Sequence, residues 1–223
     1  MLGHGARFGD AVNQTVVFPT EYESLQREYV ILFRRDPDGA YRSVVLLGLD
    51  AQDNVFLRDG SWQARYVPGL MQRGPFSIGV PERGADGAMQ GEPMIHVDLD
   101  HPRISRDEGE PVFLPHGGNA PYLDHVAGVL QSIYVGSEAS RAMFAAFEEH
   151  GLIEPIALDI SLDDGRRYDV PDCFTIGQQA LRDLDARALD ALHRADFLRA
   201  AIWVAGSLAN LGALVERKRQ AVG

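Results

Sequence analysis

Between residues 29 and 79 short apolar runs alternate with turn residues, the spacing of strands rather than helices. "YVILFRR" (29–35), "DPDG" (36–39) and "YRSVVLLGL" (41–49) read as strand, turn and strand. Pro37 suits the first central position of a turn and Gly39 its close, so this stretch predicts a β-hairpin. "NVFL", "WQARYV" and "FSIGV" continue the strand pattern, punctuated by "RDG" and "RGP". The glycine-punctuated run "ERGADGAMQGEP" (82–93) has no periodicity and predicts a mobile surface loop.

The period then changes. Leu123, Val126, Leu130 and Ile133 recur at helical spacing, with Pro121 in the first turn where its missing N–H costs little. Ser137 is placed to cap a second helix that holds Met143, Phe144 and Phe147 and is closed by Gly151. "IALDISL-DDG-RRYDV" (156–170) predicts a hairpin around an Asp-Gly turn. Two helices follow, near 185–194 and 197–217. Asp196 stands where it could cap the second, and Arg217, Lys218 and Arg219 lie at its negative end.

In that last helix Phe197, Ala201, Val204, Leu208, Leu211 and Val215 form a seam. Leu198, Ile202, Ala205, Ala209 and Gly212 make a second apolar row beside it. A helix so widely apolar is either central to the core or the interface of a homodimer. These elements define an α+β fold, with a mostly antiparallel β N-terminal half and helices mixed with a β-hairpin in the C-terminal half. The expected organisation is one domain over 1–223, divisible near 82–93 into a β-rich part (16–114) and a helix-rich part (119–219).

Composition narrows the partners. The 223-residue chain carries a formal charge of −11, which disfavours phosphate backbones and anionic lipid surfaces, so neither nucleic acid nor a membrane is the expected partner. Its single cysteine, Cys173, excludes an intramolecular disulfide and a Cys-based zinc site. "VPDCFTI" reads as a strand start that buries this thiol. The N-terminus has no apolar signal-like region, and the most apolar run, Phe197 to Val215, is interrupted by Arg199 and Asn210. A cytoplasmic chain without membrane insertion is expected.

The densest candidate chemistry is "MIHVDLDHPRIS" (94–105). On a strand His96 and Asp98 share one face and Ile95, Val97 and Leu99 the other. His-x-Asp on a strand is also how iron-dependent oxygenases present two of three metal ligands, with His116, His125, His150 and His193 downstream as third-ligand candidates. The alternative is a half-exposed strand followed by a structured turn. The later change to helix favours the alternative, since such an oxygenase needs further strands before its last histidine. Asp100 and Arg103 straddle the proline turn, either pairing internally or binding a ligand. Trp62, Tyr66, Arg73 and Phe76 could floor an aromatic-plus-arginine pocket for a carboxylate or peptide, or belong to the core. No G-x-S-x-G, P-loop or H-E-x-x-H occurs, and no cofactor is implied.

The order of segments resembles the bacterial SapC family associated with surface-layer genes. The resemblance is carried by "REYVILFRRDPDGAYRSVVLLGLDAQDNVFL", "YVPGLMQRGPFSIG", "VDLDHPRISRDEGEPVF", "PYLDHVAGVL", "HGLIEPIALDISLDDGRRY" and "LDALHRADFLRAAIWVAGSLANL", over roughly residues 16 to 216. It makes Asp98, Asp100, Pro102, Arg103 and Ser105 the recurring positions of the turn, with His96 and His101 incidental. It implies a non-enzymatic accessory protein that binds a protein or peptide partner in a surface, uptake or modification pathway. It carries over no catalytic residue. The expected surface gathers Trp62, Tyr66, Arg73, Phe76, Asp98, Asp100 and Arg103, with self-association through 197–217 a further possibility. The competing expectation is an Fe(II)-dependent oxygenase-like enzyme using His96 and Asp98.

Overall fold

In the computed structural model, which describes residues 1–79, 94–162 and 165–222, one antiparallel sheet organises both halves of the chain. β1 (Gln14–Val17) pairs with β3 (Tyr41–Leu46), which pairs with β2 (Ile31–Arg35). The β2–β3 turn is closed by the Asp36 N–H to Ala40 O and the Gly39 N–H to Asp36 O, both 2.8 Å. Gly39 there has φ +89°, a conformation that glycine adopts without strain.

β8 (Ile153–Ser161) and β9 (Arg167–Ile176) complete the sheet in the order β1-β3-β2-β9-β8, with Phe33 opposite Phe174 where the two hairpins join. Residues 163 and 164 of the expected Asp-Gly turn, and the expected loop 82–93, lie outside the described residues. Cys173 is buried, as expected, but lies well inside β9 rather than at a strand start. A bulge precedes it, with Asp172 at φ +54°.

Ile31, Leu32 and Phe33 are all fully buried, so β2 is covered on both faces. That is why its sequence is a continuous apolar run rather than an alternation.

Two predicted strands shrink to a miniature hairpin. Only β4 (Leu57–Arg58) and β5 (Ser61–Trp62) pair, around Asp59 and Gly60 with φ of 52° and 72°. Asn54 turns the chain before them, donating to Asp10 O at 2.8 Å and accepting the Phe56 N–H at 3.1 Å. After the short helices α1 (Tyr22–Leu25) and α2 (Gly69–Gln72), β6 (Phe76–Gly79) and β7 (Met94–Val97) form a separate two-stranded sheet.

The two helices expected over 121–151 are one. α3 (Pro121–Glu149) runs 29 residues, and Ser137 lies within it instead of capping a second helix. Its length, roughly 43 Å at 1.5 Å per residue, lets it serve two cores. Leu123, Val126 and Leu130 pack with Phe76 and Met1. Met143, Phe144 and Phe147 join the main core, where the Phe144 ring stands edge-on to Phe33 at 5.0 Å. No proline interrupts the helix between these clusters. Gly151, at φ +60°, follows its end as expected.

α4 (Gln178–Arg182) and α5 (Ala186–Arg194) come next, the latter capped by Asp185, whose carboxylate accepts the Ala188 N–H at 2.7 Å. Asp196 does not cap its helix. It adopts φ +64° and pairs instead with Arg199. The last segment is α6 (Phe197–Ser207), a 3-10 turn at Leu208–Asn210 and α7 (Leu211–Val222).

Ala201 and Val204 of the predicted seam are buried, but beyond the turn Leu214 and Lys218 face inward rather than Val215. The tighter 3-10 winding rotates each following residue further round the axis. Phe197–Ala221 is long and apolar enough, by length and composition, to cross a membrane. In this fold α6 joins the main core, and Asn210 Nδ2 donates to Gln26 O and Tyr29 O, both at 2.8 Å. Lys218 Nζ lies 2.7 Å from Asp50 and 2.8 Å from Asp53.

Candidate partner-binding surface

The seven residues expected to share one surface separate into four environments. Trp62 and Tyr66 enter an internal network. Trp62 Nε1–H donates to the Tyr29 hydroxyl at 2.7 Å, which donates to Tyr66 O at 2.5 Å, and the Tyr66 hydroxyl donates to Glu21 Oε2 at 3.0 Å. Glu21 also accepts the Gly69 N–H at 2.8 Å and the Phe18 N–H at 3.0 Å. Burial pushes its carboxyl above the usual range despite these three donors. Burial likewise raises the Tyr29 and Tyr66 hydroxyls.

Phe76 is buried in the second core, 2% exposed, and Arg73 Nη1 donates to its carbonyl at 2.8 Å. The expected aromatic floor is therefore divided between two cores and does not form one pocket.

Arg103 is the clearest departure. It is 3% exposed and its guanidinium meets Asp10 Oδ2 in a buried ion pair. It also reaches Met71 O at 3.2 Å and His4 Nδ1 at 2.9 Å. Burial would raise the Asp10 carboxyl, but hydrogen bonds from His4 and the Gly5 N–H, with the Arg103 charge, outweigh it and hold the group below its ordinary value. Arg103 therefore pins the N-terminal segment to α2. Its partner Asp10 lies 93 positions away, beyond any local sequence signal.

Asp98 and Asp100 are exposed and build the turn, Asp98 Oδ1 accepting the Asp100 N–H at 3.0 Å. The His96 ring lies across Gly79, where a Cβ would come within 2.5 Å of Nε2. Among the described residues no group of three His, Cys, Asp or Glu side chains could hold a metal ion, so His96 and Asp98 gain no third ligand there. His125 is instead bonded to Gln72 at 2.9 Å. That pair stands between two open clefts. One, of about 350 Å³, is lined by Thr20, Glu21, Tyr66 and Ser132, and the other, of about 500 Å³, by His4, Arg103 and Tyr122.

The sequence pattern assigned Ile95, Val97 and Leu99 to a covered face. In the fold every residue from 94 to 100 is exposed. Ile95 stands opposite Ile78 and Val97 opposite Phe76, so both continue the apolar face that β6 packs against α3. β7 carries that face outward: Ile95 is 42% and Val97 41% exposed.

The backbone parity follows from one bond. The Asp98 N–H donates to Pro75 O at 3.0 Å, which places positions 94, 96 and 98 in the hydrogen-bonded pairs of the β6–β7 ladder. The N–H and C=O groups of Ile95 and Val97 therefore point away from β6, along the outer edge. Phe113 at 65% and Leu114 at 47% add exposed apolar surface further along the chain.

No curated protein and no solved structure matches this chain. The family model SapC matches residues 2–214, nearly the whole sequence and wider than the segments that first suggested it. The chain belongs to the SapC family.

Proposed function

We propose that this SapC-family chain is a non-enzymatic cytoplasmic accessory protein that binds a protein or peptide partner through β7 and the segment reaching Leu114. One observation carries the reading. Of the nine large apolar side chains exposed among the described residues, six (Met94, Ile95, Val97, Leu99, Phe113 and Leu114) fall within one stretch of 21 positions. Concentrated apolar exposure marks interaction surfaces, whereas scattered single residues need no explanation. The predicted dimer helix supports a smaller role in association, since its seam from Phe197 to Leu211 packs against the main core and only Ile202 is a large exposed apolar residue there.

The test is affinity purification from source cells with a photo-crosslinker at position 99, comparing wild type with Leu99→Ser/Phe113→Ser. The wild type should yield a stoichiometric partner crosslinked within 94–114, lost in the double variant at unchanged thermal stability. Equal capture by both proteins would remove this surface from the reading.

A further inference from the structure

We infer that β7 is a docking edge for an extended, lysine- or arginine-flanked segment of a partner protein, which joins the β6–β7 pair as a third strand. The inference rests on the partner-binding reading above and names the partner's chemistry.

Three features converge on β7 and the turn that follows it. First, Ile95 and Val97 direct their backbone donors and acceptors outward, and among the described residues no backbone hydrogen bond engages them. An open strand edge is a template for another strand, and proteins usually blunt it with a charge, a proline or a covering element. Residues 94–97 include no proline and no Asp, Glu, Lys or Arg. Second, the side chains of Ile95 and Val97 extend the apolar face of Phe76 and Ile78 past the edge, half-exposed. An added strand would place its alternate apolar side chains beside them and complete that layer, while its main chain met the open edge.

Third, charge selects the occupant. Asp98 and Asp100 are exposed directly beyond the strand, and the whole chain carries −11. Lysine or arginine at the end of the incoming strand beside them complements these carboxylates, and a basic residue at each end serves either strand direction. A second copy of this chain would instead bring like charges together.

The experiment uses the full chain and a fluorescent peptide of alternating valine and threonine with a lysine at each end, with its glutamate-ended counterpart as control. Binding is followed by anisotropy, and amide protection by hydrogen exchange. The lysine peptide should bind, the glutamate peptide should bind at least about tenfold more weakly, and the Ile95 and Val97 amides should become protected on binding.

Val97→Pro removes an outward donor while sparing the ladder bonds at 96 and 98, and should weaken the peptide about tenfold, the worth of one backbone hydrogen bond. Continued protection of the His96 and Asp98 amides checks that β6–β7 survives. Val97→Thr, which keeps the N–H, should bind within a few-fold of wild type.

Four results overturn the inference: no binding of the lysine peptide, equal binding of both peptides, protected Ile95 and Val97 amides in the free monomer, or a dimer that Val97→Pro dissolves. If Val97→Pro retains the cellular partner while Leu99→Ser/Phe113→Ser loses it, the surface stands and the strand-addition geometry falls. If neither variant changes capture, both readings fall.

Discussion

Replacing Arg103 by methionine tests whether the Asp98-to-Arg103 segment builds the fold or meets a partner. The substitution keeps most of the buried volume and removes the guanidinium, leaving Asp10 charged, 4% exposed and without its cation. The Gly5 N–H at 2.8 Å and His4 Nδ1 at 3.4 Å would remain beside the carboxylate, but the guanidinium's own contacts to Met71 O and His4 would go. Breaking a buried pair by removing one partner costs about 3–5 kcal/mol. For a chain of this size that corresponds to a fall in Tm of roughly 6–20 °C.

Urea titration and thermal melting of wild type, Arg103→Met, Asp10→Asn and the double variant form a cycle. The double variant should be less destabilised than the sum of the singles by about 1–3 kcal/mol, because it leaves no unpaired charge. Partner capture well below the melting range should be unchanged. Arg103→Met within about 1 kcal/mol of wild type would refute the argument, as would additive singles.

Other consequences can be checked on the same footing. Gly136→Ala should destabilise the chain by about 1–3 kcal/mol, read from the denaturation midpoint. Its Cβ would come within 2.5 Å of Phe18 Cβ and 2.6 Å of Thr20 Oγ1. Asn210→Ala should cost about 1–3 kcal/mol by leaving the carbonyls of Gln26 and Tyr29 without their shared donor. Because the Asp10 carboxyl is held below its ordinary value, its contribution is complete above the unfolded-state pKa near 4 and lost as pH falls through the lower folded value. Wild type should therefore lose stability on acidification more steeply than Asp10→Asn. Burial would lower the Lys218 ammonium, but hydrogen bonds to Asp50 and Asp53 raise it. Its contribution is therefore present below the unfolded-state pKa and fades as pH rises through the folded one. Lys218→Met should flatten the loss of stability in strong base.

Much of this protein was legible in local pattern. The apolar run at 29–35 with its Pro37–Gly39 turn specified the central hairpin, and the change of period at Pro121 specified where α3 begins, though not that it runs on through Ser137. The alternations around 156 and 170 specified the second hairpin. Each signal is local because strand and helix periods are set by backbone geometry within a few residues. Periodicity reports which residues share a face and leaves open what lies against it. Ile95 and Val97 alternate like a buried face, yet β7 extends that face into the open. Arg103 sits in a polar turn, yet folding carries it to Asp10 near the other end of the N-terminal half. The seam of the last helix suits a core and a dimer equally well, and only packing in this chain turns its Phe197-to-Leu211 part inward. Elements follow from near neighbours in sequence, whereas burial, buried charge pairing and which edge of β7 meets β6 depend on segments brought together by the fold.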